Sequence, residues 1–287
     1  MQEPAAEFID ALRTSNGSRA ELLNELVNVF RKAELPMELF EARKMVIRER
    51  LGLPLLSDEN EPTRSEEIER QLELGLLEAC REAGEMLIRA GRVFEGWTYL
   101  RPDGDNALVK ELLGGVEITE ENYDEMQRVL LHEGVDVGRG FQSVLDFQGT
   151  CNSITLFDQS IAQRSKADRR AAGERLLEHF YRELTDLVRA DITSRDSAPA
   201  EDESLYDMIS SGPWVLKDGG YHLDTTHLSS TVRIASTLTD PEQLRKAWEL
   251  TQYGRQLHHQ FQYPGEEPFV DLQKPFFASP TRPGHWL

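Results

Sequence analysis

An apolar helical period that runs into a glycine, with a second helix opening a few residues later, recurs along this chain and limits what it can fold into. Leu87-Ile88-Arg89-Ala90-Gly91 leads into Phe94-Glu95-Gly96-Trp97-Thr98-Tyr99-Leu100, and Leu130-Leu131-His132-Glu133-Gly134 leads into Val137-Gly138-Arg139-Gly140-Phe141 and then Val144-Leu145. Glycine costs a helix interior close to ~1 kcal/mol, but just past a helix end it takes the left-handed conformation that other residues avoid. The pattern predicts helical hairpins with Gly91 and Gly134 in their turns, in an all-α fold with strands nearly absent. Trp97 and Phe141 each follow such a glycine and open an apolar face. Both rings are therefore predicted to be buried.

Helix start signals support this reading. Ser18-Arg19-Ala20-Glu21 forms a capping box ahead of Leu22, Leu23, Leu26, Val27 and Phe30 at helical spacing. Pro36 suits the first turn of a partner helix carrying Leu39, Phe40, Met45, Val46 and Ile47, which should stop before Gly52-Leu53-Pro54. Thr63-Arg64-Ser65-Glu66 offers a second capping box before the stripe Ile68, Leu72, Leu76, Cys80, Ala83 and Leu87, which makes Cys80 a small core residue. Thr119 with Glu120 and Glu121 predicts another helix start. Asp240-Pro241-Glu242-Gln243 predicts a last one, before a stripe of Leu244, Ala247, Trp248, Leu257 and Phe261.

These signals divide the chain into a helical hairpin region at 1–56, an acidic linker at 57–65, a central helical region at 66–193, a flexible stretch at 194–204, a C-terminal helical region at 205–262 and an irregular, proline-rich tail at 263–287. The chain of 287 residues has 51 acidic against 32 basic side chains, a net charge of −19. Such a surface repels phosphate backbones, so no nucleic-acid partner is expected. The start Met1-Gln2-Glu3-Pro4 is polar, and no apolar run of about 18 residues occurs, so neither a signal peptide nor a membrane span is expected and a cytoplasmic location follows. Two cysteines, Cys80 and Cys151, are too few for a disulfide framework.

Gly91 and Gly134 lie about 43 positions apart, and helix-turn-helix units of roughly 34–47 residues build tetratricopeptide, HEAT and armadillo arrays. The stretch Ala83-Gly84-Glu85-Met86-Leu87-Ile88-Arg89-Ala90-Gly91-Arg92-Val93-Phe94-Glu95-Gly96-Trp97-Thr98-Tyr99-Leu100 resembles a tetratricopeptide repeat, with small residues near the helix crossing and an apolar second helix. The resemblance covers about one clear unit and one or two degenerate ones with irregular spacing elsewhere, and Pro102 is its only counterpart to the proline expected after the second helix. It implies irregular antiparallel hairpins stacked as a tetratricopeptide-like α-solenoid or helical bundle. It also implies a role in holding peptides or partner proteins, and carries no catalytic residues.

The densest polar group is the segment from Trp214 to His227, where Trp214, Tyr221, His222, Asp224 and His227 form the candidate binding set. Asp224 or Thr225 can cap the following helix, and His222 and His227 would flank its start. A divalent metal could be held by His222, Asp224 and His227 given a further ligand. The spacing lacks the His-Glu-x-x-His arrangement that puts both rings on one helix face. The alternative has Asp224 as a cap and Trp214 and Tyr221 packed beneath the loop.

Cys151 has no papain-like or caspase-like surroundings, Gly138-Arg139-Gly140 is no dinucleotide fingerprint, and His258-His259 is expected to continue the helix led by Trp248, where adjacent side chains point about 100° apart. Two functions remain. One is a helical-repeat module that binds a protein or peptide, with a basic ligand suited to its acidic surface and no cofactor. The other is a metal-dependent hydrolytic enzyme centred on His222, Asp224 and His227, with Cys151, His179 or His258 as further contributors.

Overall fold

A computed structural model of the chain describes residues 17–57, 63–212, 214–217, 220–258 and 261. The predicted tail at 263–287, the middle of the predicted linker and His259 lie outside the described residues. Among these, the chain is all-α, with no strand. It forms two compact units that divide between Val135 and Asp136. The division falls inside the span 66–193 that the sequence groups as one region, and it separates Gly134 from Phe141.

In the first unit, α1 (Arg19–Lys32), α2 (Pro36–Arg50), α3 (Glu66–Arg89) and α4 (Val93–Leu100) follow one another, each packed on the next. Ser18 caps α1 as expected: its hydroxyl accepts from Glu21 N–H while Glu21 returns to the Ser18 backbone. The predicted capping box at Thr63 is corrected, because Ser65 is the N-cap of α3 and accepts from Ile68 N–H. Gly91 has φ +81 and turns the chain between α3 and α4.

These two helices cross at glycines. A Cβ on Gly84 would lie 2.9 Å from the Gly96 carbonyl oxygen, and one on Gly96 would lie 2.8 Å from that of Gly84. Leu100 faces Gly84 and Ile88 faces Gly96, so the helices run antiparallel. Trp97 joins Ile88, Val93, Leu100 and Met126 in the core beneath.

α5 (Asn106–Gly114) and α6 (Tyr123–Gln127) complete the unit, the latter passing into a π turn at Arg128–His132. Thr119 does not cap this helix as expected. Its N–H donates to Asn122 Oδ1 within a turn, and Asn122 is the N-cap. Gly134, with φ +80, ends the π turn.

The second unit is arranged around α8 (Lys166–Arg195), whose Leu177, Phe180, Leu184, Val188 and Ile192 form a spine. Against it pack α7 (Val137–Gln159), α9 (Leu205–Ser211), α10 (Thr225–Ala235) and α11 (Pro241–Gln256). Inside α7, Gly149 adopts φ 78 and ψ 176, a region essentially reserved for glycine, and breaks the helix there. Asp240 caps α11 as predicted, accepting from the N–H groups of Glu242 and Gln243. The helix stops at Gln256 because Leu257 turns to an extended conformation, so His258 does not continue it. The stretch 194–204, expected as a flexible boundary, is held by Arg189, which donates to the carbonyls of Ala200 at 2.5 Å and Glu203 at 3.0 Å.

Candidate functional site

The members of the predicted polar set from Trp214 to His227 have different surroundings in the fold. Asp224 is the N-cap of α10, its carboxylate accepting from Thr226 N–H at 2.7 Å and His227 N–H at 3.3 Å. The Thr226 hydroxyl bond, first, and those backbone bonds hold this carboxyl below its usual range. His227 lies in the first turn of α10, half-buried. Trp214 packs half-buried against the core, with the Arg195 guanidinium 5.8 Å from its ring centroid. Tyr221, expected beneath the loop, is exposed and leans on Phe261 at 4.7 Å.

His222 points inward. Its backbone N–H donates to the Tyr253 hydroxyl at 3.0 Å, its Nδ1 lies 2.8 Å from the same oxygen, and its Nε2 lies 3.3 Å from Asp191 Oδ2. The Asp191 carboxylate can only accept, so Nε2 is the nitrogen that donates and Nδ1 accepts the Tyr253 hydroxyl hydrogen. This assigns the ring proton to Nε2, facing Asp191. Arg195 pairs with the other Asp191 oxygen at 2.8 Å.

The series hydroxyl, imidazole, carboxylate has the order of a proton relay, but Tyr253 is only 1% exposed and burial holds its phenol well above the ordinary range. The network ties α8, the loop and α11 together, a role in which each buried polar group needs its partner.

Burial, first, lowers the His222 imidazole below its ordinary 6.5, against an opposing pull from Asp191. The folded protein therefore binds this proton more weakly than the unfolded chain does. The stability contributed is fully present above pH 6.5 and is lost as pH falls through the folded value. Between about pH 7 and about pH 5 the unfolding midpoint should fall less in His222→Gln than in the parent protein. Equal falls would show that the ring does not titrate on unfolding.

Both ring nitrogens of His222 are thus engaged, and no group of three His, Cys, Asp or Glu side chains suited to a metal occurs among the described residues. The structure does not gather His222, Asp224 and His227. Among the other candidates, Cys151 is exposed, and His179 faces Glu183 at 3.8 Å with its buried Nδ1 left unbonded.

Elsewhere in this unit the carboxylate of Glu249 is buried, 2% exposed. It accepts from the Tyr181 hydroxyl at 2.6 Å and from Tyr206 N–H at 3.3 Å, and it pairs with Arg245. Burial, with this bond, pushes the Tyr181 phenol up to about 12. Trp248, placed on the apolar stripe by its spacing, is in fact exposed, with its ring centroid 4.8 Å from that of Tyr206 and the two planes tilted by 46°.

The feature that the sequence reading passes over lies in the first unit. Leu26 and Phe30 of α1, Met37, Ala42 and Met45 of α2, and Tyr99 of α4 line an open apolar groove of about 470 Å³. The charged residues lining it are Glu38 and Glu41. Met37 is 42% exposed. The Tyr99 hydroxyl donates to its sulfur at 3.2 Å, and the Tyr99 ring stands edge-on to Phe40 at 5.1 Å.

The groove exists because α1 carries a wider apolar stripe than α2 can cover: Leu23 and Val27 are buried, while Leu26 and Phe30 remain half-exposed. That excess width, Leu22 to Phe30 in one helix of a two-helix hairpin, was the available signal. No family model, curated protein or solved structure matches the chain. No helix among the described residues is long and apolar enough to cross a membrane.

Proposed function

We propose that the chain is a cytoplasmic partner-binding module whose hairpins stack in the tetratricopeptide manner, and that it holds a protein or peptide on its first unit without chemistry of its own. The observation that carries this reading is the groove between α1 and α2, where thioether, aromatic and aliphatic side chains stay open to solvent beside acidic neighbours. Exposed apolar concavities on helical surfaces are where ligands with apolar faces dock, and methionine adapts to varied shapes. The sequential packing of α1 to α4 and the glycine crossing of α3 with α4 support the repeat-like arrangement.

A photo-crosslinking residue placed at Met37 in cells should yield one discrete conjugate, while the same residue at exposed Leu74 of α3 should not. The partner so identified, once purified, should bind Met45→Glu roughly tenfold or more weakly, a loss of about 1.4 kcal/mol or more. Equal conjugates at both positions, or none, would defeat the reading.

A further inference from the structure

We infer that the occupant of the groove is a cationic amphipathic helix, an inference that rests on the groove being a docking site. The walls decide the ligand's backbone. Both long walls, α1 and α2, are helices whose N–H and C=O groups are bonded within the helix, so the groove presents no strand edge. An extended peptide laid there would turn its own polar backbone against Met37, Met45 and Phe30 without partners, which is costly. A helix satisfies its backbone internally and offers an apolar stripe at positions i, i+3, i+4 and i+7.

The charges decide the ligand's sign. Glu38 and Glu41 stand three residues apart on the same face of α2, and no basic residue lines the groove. Lys44 pairs with Glu41 and lies 5.3 Å over the Phe40 ring, and Arg92 is taken by Glu95. Glu38 makes no direct ion pair among the described residues, and Arg92, bound to Glu95, acts on it only through space, so a lysine or arginine beside the ligand's apolar stripe could pair with that carboxylate directly. The net charge of −19 adds long-range attraction for such a helix.

The test uses the full chain with methionine methyl groups labelled for nuclear magnetic resonance, and three synthetic peptides of about 14 residues, near the length at which a helix holds together. One carries leucine on a helical stripe with lysine elsewhere, the second has every lysine replaced by glutamate, and the third is the lysine peptide with two central prolines. The lysine peptide should move the Met37 and Met45 signals saturably and leave those of Met126 and Met208, both fully buried, in place.

Glu38→Gln with Glu41→Gln should weaken that binding about tenfold with an unchanged circular dichroism spectrum, and high salt should weaken it too. Equal or tighter binding of the glutamate peptide, or equal binding of the proline peptide, would overturn the cationic-helix inference while leaving a docking groove. Failure of all three peptides to move Met37 and Met45 would also overturn it. The docking role would then be decided separately by the crosslink at Met37.

Discussion

Phe141→Ala should lower the unfolding free energy by about 3–5 kcal/mol, the cost of deleting a fully buried aromatic ring and leaving a cavity. Phe141 is 0% exposed and meets Phe157 edge-on at 6.3 Å, across the two halves of α7 on either side of the Gly149 break. The cavity would therefore loosen the contact that joins those halves. Trp97→Ala, at a site 5% exposed in the first unit, should cost a similar amount. Urea unfolding with an unchanged slope is the measurement. A loss under about 1 kcal/mol in either variant would show that the ring does not fill its core.

Gly96→Ala should destabilise the first unit, toward the upper end of the roughly 1–3 kcal/mol that overpacking costs. The new methyl group would lie 2.6 Å from Ile88 Cγ1 and 2.8 Å from the Gly84 carbonyl oxygen. A side chain can swing away, but a backbone oxygen moves only if α3 and α4 separate. Alanine's better helix propensity returns about 1 kcal/mol, too little to offset that separation. Gly114→Ala is the control, since its Cβ would meet nothing within 4 Å at the end of α5, and it should be neutral or slightly stabilising. A Gly96→Ala protein as stable as its parent would mean that α3 and α4 can part freely.

The helices and several of their ends were legible in the sequence because their causes are local. Ser18, Asp224 and Asp240 cap helices through atoms two or three residues away, and Gly91 and Gly134 take positive φ as the sequence predicts. Thr63 and Thr119 carried the same kind of signal and failed. Ser65, extended at φ −69 and ψ 151, takes the cap of α3, and Asn122, at φ −107 and ψ 2 with no side-chain cap bond, stands at the start of α6 while its Oδ1 accepts from Thr119 N–H.

The polar set at 214–227 was visible as a cluster in sequence, but what each member does depends on distant residues. His222 is drawn to Asp191 and Tyr253, each 31 positions away, while Asp224 stays with its own helix. Periodicity likewise put Trp248 on an apolar stripe without saying which part of the stripe would be covered, and Tyr206 leaves it half in water.

By itself the sequence determined an all-helical chain, the acidic surface and the glycine turns, because backbone propensity, capping and charge act within a few residues or add up regardless of fold. Only the tertiary structure decided where the units divide, that α3 and α4 close on a pair of glycines, that His222 is a buried tie, and that Met37, Met45 and Phe30 stay open beside Glu38. Those outcomes depend on which apolar face finds a partner. A stripe such as that of α1 is buried or left as a groove according to the width of the helix laid against it.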